Sequence, residues 1–270
     1  AGFKTDRLVR VKNPVSEEHD VMRQNLLFGL LESSARNLNM GCECVKAFET
    51  GKIFGKWGRD RYVEEMKAGI IFAGRQERKH WLTGALEPGF FHLKGVLSAL
   101  LDNMKVPYGF IDSKSEMFHD FKQMEIIIGG KQAGIFGELT ESLRAVFDIR
   151  EKVYFAEFDI EKAGEAIERA IIYKPLPKYP AVKRDIAVLV KKEVSSEMMQ
   201  NAVFKIGGKT VEDVKLFDLY EGGQIPKDSK SLAYSITYRS AEKTLRDEEV
   251  DALHKAVADY IVHEFSAQIR

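Results

Sequence analysis

Cysteine is nearly absent from this chain: Cys42 and Cys44 are the only two in 270 residues. Lying two apart, they are too close for an ordinary disulfide, and they are too few for a zinc site. Two reduced thiols fit a cytoplasmic protein. The six histidines show no ligand spacing such as HxxxH, so each reads as structural or solvated. Net charge is missing as well, with Lys plus Arg and Asp plus Glu at 41 each. That balance argues against non-specific nucleic-acid binding by bulk charge. Residues 176–270 are also balanced, so any RNA contact there must come from local placement of charge. No apolar run reaches the roughly 18 residues that a membrane-spanning helix needs. The opening AGFKTDRLVRVKN has neither an apolar signal core nor an initiator Met. Gly129-Gly130 is not followed by a GxxxxGKS or GxxxxGKT phosphate loop.

What is present is ordinary globular material, 44% hydrophobic and 30% charged. Helical spacing of Leu27, Leu30, Leu31, Ala35 and Leu38 predicts a helix over 23–37, with core packing or a subunit interface for its stripe. Strands are predicted at 9–12, 45–54 and 68–74. A second helix is predicted over 88–106, with Phe91, Val96, Leu97, Leu100, Leu101 and Met104 as its apolar stripe. A hairpin is expected around Gly129-Gly130 within 124–139, then a short helix at 142–147, a strand at 153–160 and a helix at 160–171.

Residues 173–180, YKPLPKYP, hold three of the chain's seven prolines and read as a stiff, extended linker. The domains are therefore drawn at 1–172 and 181–270. Beyond the linker come a strand through RDIAVLV, a helix at 195–206, a long-tipped hairpin and a helix from about Leu245. A short strand is expected in SAQIR. The order β-α-β-β-α-β is the ferredoxin-like split βαβ arrangement.

The hairpin is the most informative stretch. In 231–238, Leu232, Tyr234, Ile236 and Tyr238 make one face and Ser231, Ala233, Ser235 and Thr237 the other. In 214–220, strict alternation sets Phe217 and Leu219 against Leu216, Asp218 and Tyr220. A face of small and hydroxyl side chains suits a flat ligand that must approach the backbone, although a solvated sheet face has the same pattern. Thr244 with Asp247 resembles an acidic capping box that opens the last helix.

At LFDLYEG, KSLAYSITYRS and KTLRDEEV, with YPAVKRDIAVLV upstream, the chain resembles the anticodon-binding domain of the phenylalanyl-tRNA synthetase beta-subunit family. VKNPVSEEHDVMRQNLLFGLLESSARNLN, AFETGKIF, GFFHLKGVLSALL, IGGKQAGIFGEL and VYFAEFDI resemble that family's domain related to a class II synthetase core. One departure is GELTES, where Thr140-Glu141 replace the His-Pro usual after Gly-Glu-Leu. The resemblance implies an α+β protein: a class II synthetase-like antiparallel sheet domain, then a ferredoxin-like domain. With the missing Met, it implies a piece of a longer chain.

An active class II core needs an arginine with a glutamate two residues later, and a GxGxxR strand-to-helix step, to handle ATP and magnesium. Arg23 has Asn25 where that glutamate belongs, and Arg144 lacks the glycine spacing. The resemblance thus implies a catalytically silent domain that scaffolds the alpha subunit of an α2β2 enzyme. No cofactor is expected in this chain; ATP and Mg2+ belong to the parent enzyme, which attaches phenylalanine to tRNA-Phe. No DNA or membrane partner is expected.

For the anticodon, the resemblance points to Ala187, Asp218, Tyr220 and Ser231. Arg184, Arg239, Lys243 and Arg246 are candidate phosphate contacts, with surface ion pairs as the plain alternative. An active single-chain synthetase with a divergent site is one rival. An amino-acid-binding regulatory module is another, though KKEVSSEM offers no glycine to wrap a carboxylate.

Overall fold

The computed structural model describes residues 7–15, 20–58, 61–74, 89–167, 175–223 and 225–270. The chain forms two compact units, Ala1–Ile171 and Ile172–Arg270. Residues 173 and 174 of the expected linker, Pro88 and the end of the helix expected over 160–171 lie outside the described residues. No described helix is long and apolar enough to cross a membrane.

The first unit is a six-stranded antiparallel sheet with helices on both faces. Its elements are α1 (Leu27–Asn39), β1 (Cys44–Trp57), β2 (Arg61–Gly74), α2 (Phe90–Asn103), β3 (Tyr108–Asp112), β4 (Phe118–Ile128), β5 (Lys131–Leu139), α3 (Glu141–Val146), β6 (Val153–Asp159) and α4 (Ile160–Glu165). The spatial order is β1-β2-β6-β5-β4-β3. Leu27, Leu30 and Leu31 of α1 are buried with Ile71, Val153 and Phe155 on one face, so the α1 stripe is core. Leu93, Leu97 and Leu101 of α2 are buried with Ile126, Phe136 and Phe158 on the other. Phe91, placed by its spacing on the packed stripe, is instead 80% exposed.

Gly129 and Gly130 turn the β4–β5 hairpin with φ of 56° and 77°, the left-handed region that favours glycine. Gly134 serves a different need. A Cβ there would lie 2.2 Å from the Glu157 carbonyl oxygen and 2.7 Å from the Phe158 Cα, so only glycine lets β6 sit this close. At GELTES the chain steps from strand to helix: Thr140 is the extended N-cap of α3, and its N–H donates to the Met117 carbonyl at 3.0 Å. Asp159 caps α4 by accepting from the Lys162 N–H at 3.0 Å, so Ile160 opens a helix rather than ending a strand.

The second unit contains β7 (Val182–Lys191), α5 (Ser196–Gly207), β8 (Val211–Tyr220), β9 (Ser229–Tyr238), α6 (Asp247–Phe265) and β10 (Gln268–Ile269). The sheet order β10-β7-β9-β8 is that of the split βαβ fold. One face carries Ile186, Val188, Leu232, Tyr234 and Ile236, buried under Met199 and Val203 of α5 and Val257 and Ile261 of α6. Among the described residues of this unit, no helix packs on the other face. The last helix starts later than Thr244: Arg246 is its N-cap, and Glu249 accepts from the Arg246 N–H at 3.1 Å. Glu249 can fill that role because it sits three residues into the turn and faces backward along the helix. Asp247, by contrast, is the first helical residue.

Candidate nucleic-acid interface

The open face is built by register. Ala187 of β7 pairs with Ala233 of β9, and Ala233 pairs with Asp218 of β8. In the next row Leu189 pairs with Ser231, and Ser231 with Tyr220. Cross-strand partners share a face, so Ala187, Ala233 and Asp218 are side by side, with Ser231 and Tyr220 one row along. Apart from Leu189 the floor is made of small side chains, and its β8 border is polar.

Strict alternation misplaces Leu216. It pairs with Tyr234 and packs against the helix-side core, whereas Asp218 is on the open face. The cause is a register shift between Leu216 and Asp218 that makes Phe217 an extra residue. Such a bulge moves every later side chain to the opposite face from the one counted. Phe217 itself is 55% exposed.

The border residues differ in burial. Tyr220 is 44% exposed and Ser231 only 8%. The Tyr220 ring lies over Gly222, where a Cβ would meet its Oη at 2.3 Å. Glycine at that position therefore lets the ring fold across the loop entrance. Among the described residues Asp218 has no hydrogen-bond or ion-pair partner, so its carboxylate is available as an acceptor.

The four cations named from the sequence are not brought to this corner. Arg184 is in register with Ile236 on the helix side, where it contacts Asp247 and Asp251 of α6 at 2.9 Å each. Arg239 bonds Glu212 at 2.9 Å and the Tyr179 carbonyl at 2.8 Å. Lys243 pairs with Glu249. Arg246 is the helix N-cap described above. The arginines singled out in the first unit are likewise engaged: Arg23 donates to the Lys52 carbonyl at 2.8 Å and pairs with Glu49, and Arg144 donates to the carbonyls of Arg150 and Glu151.

Behind the open face, Tyr238 Oη lies 3.0 Å from His254 Nδ1. Burial, and then the nearby Arg184 guanidinium, hold the imidazole below its ordinary 6.5, while Asp251 and Asp185 pull weakly the other way. Burial also pushes the Tyr238 phenol up to about 12. The folded unit therefore favours neutral imidazole, and the unfolded chain takes up the proton first as pH falls. Stability from this group is present above the unfolded value and is lost as pH drops through the folded one. The urea midpoint of the second unit is expected to fall between about pH 7 and pH 5, and to fall less in His254→Gln. Equal falls in both chains would show that His254 does not contribute.

Two α+β units, one a helix-flanked antiparallel sheet and the other a ferredoxin-like sheet with an open polar face, define the architecture. Residues 2–160 match the family described as Phenylalanyl tRNA synthetase beta chain CLM domain, and residues 177–270 match Ferredoxin-fold anticodon binding domain. The chain belongs to the phenylalanyl-tRNA synthetase beta-chain family. It is 33% identical to the Phenylalanine--tRNA ligase beta subunit of Fusobacterium nucleatum over 271 aligned residues, covering 98% of this chain and 34% of that protein. It is also 33% identical to the subunit of the same name from Clostridium tetani, covering 97% and 32%. The chain thus spans about a third of the length of the curated relatives it matches.

Proposed function

We propose that this chain is the non-catalytic C-terminal portion of a phenylalanine–tRNA ligase beta subunit, and that its second unit reads the first base of the tRNA-Phe anticodon. The observation that carries this reading is the convergence of Asp218, Tyr220 and Ser231 at one corner of a sheet floored by Ala187 and Ala233. A splayed base can lie on such a floor, its flat face against small side chains. The free Asp218 carboxylate accepts from the N1 and N2 hydrogens of guanine, Tyr220 offers a ring for stacking, and the Ser231 hydroxyl can donate or accept. The relatives' name supports placing the parent in tRNA aminoacylation. In this reading ATP and Mg2+ are used by the alpha subunit, the first unit scaffolds that subunit in an α2β2 assembly, and the enzyme works in the cytoplasm.

Two measurements test the proposal. The first is binding of this chain to a tRNA-Phe anticodon stem-loop, compared with the same loop carrying a different first anticodon base. A preference for the guanine loop is expected; no preference would overturn base reading. The second is phenylalanine-dependent ATP–pyrophosphate exchange by the purified chain. No turnover is expected, and clear turnover would overturn the non-catalytic assignment.

A further inference from the structure

Holding an anionic strand requires cations that are not already neutralised by neighbouring carboxylates. Arg184, Arg239 and Lys243 are each paired within the unit. Among the cations that register puts on the open face, Lys215 and Arg270 stand nearest the Ala187–Ala233–Asp218 row, while Lys183 and Lys191 of β7 lie two rows from it, across from Thr237 and Ser229. Lys215 of β8 pairs with Ser235, one row from the Asp218–Ala233 pair. Arg270 follows Ile269, which pairs with Val188 on the helix side. The Arg270 N–H donates to the Ala187 carbonyl at 2.9 Å. Alternation therefore sets Arg270 on the face of Ala187, at the border opposite Asp218. Among the described residues neither Lys215 nor Arg270 has a side-chain hydrogen bond or ion pair.

Acids on the same face narrow the route. Asp185 lies across Ser235 from Lys215, and Asp213 pairs with Thr237 one row further from the floor. Together they outweigh Lys183, which lies across Thr237 from Asp213, and so oppose a phosphate backbone running along the strands toward that end. The route that meets Lys215 and Arg270 runs across the strands, over Ala233 and Ala187. Its width is three strand spacings of about 4.8 Å each, more than one base covers. Four-stranded RNA-binding sheets stack two or three bases in this way.

We infer that Lys215 and Arg270 are phosphate contacts at the two borders of the open face, so that the RNA strand crosses the sheet from β8 to β10. This rests on the anticodon-reading proposal, and the two can fail separately. The test measures binding of both stem-loops across a salt series. It uses the unaltered chain, Lys215→Ala, Arg270→Ala, the double variant, and Lys205→Ala as a comparison on the helix layer, where Lys205 is held by Tyr260. Each single change is expected to flatten the plot of log affinity against log salt by about 0.7, the value for one single-strand phosphate contact. Both loops should weaken by the same factor, and Lys205→Ala should leave the slope alone.

A double variant with the slope of the unaltered chain overturns the inference, as does an equal change in Lys205→Ala. If the unaltered chain prefers neither loop while the double variant flattens the slope, the phosphate contacts stand and base reading falls. No salt-dependent binding by the unaltered chain overturns both.

Discussion

Replacing Asp218 with alanine is expected to weaken binding to a guanine-first anticodon stem-loop by about 1–3 kcal/mol, the range for a specific base contact. That is roughly fivefold to a hundredfold or more in Kd. The loss should be smaller for a loop with another first base. The argument is one of atoms: only a carboxylate at this position offers two acceptors to the two N–H groups on the guanine edge. Asp218 is exposed and its side chain makes no hydrogen bond or ion pair among the described residues, so the substitution should leave stability within about 0.5 kcal/mol and the binding change can be read directly. Asp218→Asn sharpens the test. It keeps one acceptor and introduces an NH2 group that faces guanine's own donors, so its loss for the guanine loop should be comparable although its shape is conserved. Equal weakening of both loops by Asp218→Ala would assign the carboxylate to something other than reading the base.

The sequence made this corner partly legible. The β9 alternation is uninterrupted, and the strand read over 231–238 is observed at Ser229–Tyr238. Both faces of β9 could be assigned because every second side chain is either large and apolar or small. On β8 the same counting failed at Leu216, because a bulge has no compositional mark: Phe217 looks like any other apolar strand residue. It also hid Lys215, which counting by twos from Asp218 puts on the wrong face. The short strand β3, YGFID, was missed, since its pairing of Tyr108 with Ile128 closes a non-local ladder that five residues do not announce. Arg184 is the clearest limit. Its partners Asp247 and Asp251 lie more than sixty residues away in the chain, and only the packing of α6 on β7 brings them together. Local pattern fixes the strand, and its faces where no bulge intervenes, but which cations are neutralised depends on tertiary neighbours.

The two cores make a second large effect predictable. Phe136 is fully buried at the centre of the first unit. Its ring stacks on Phe90 at 5.3 Å and meets Phe110 edge-on at 5.1 Å. Phe136→Ala should destabilise that unit by about 3–5 kcal/mol, from lost transfer energy and an unfilled cavity. The site cannot easily collapse, because Gly134 on the same strand already lies against the β6 backbone, with no room for closer approach. Phe136→Leu refills most of the volume and should cost distinctly less. Domains of this kind have about 5–15 kcal/mol in hand, so the alanine chain should lose a large part of its margin and unfold its first unit at clearly lower urea. The second unit is built on a different set of buried residues, from Ile186 to Ala267, that shares no side chain with the Phe136 cluster. Its transition should stay where it is, and at low urea the Phe136→Ala chain should retain the loop preference set by Asp218. If stem-loop binding instead declined in step with unfolding of the first unit, the open face would depend on that unit for its shape. The anticodon reader would then have to be studied only as part of the larger chain.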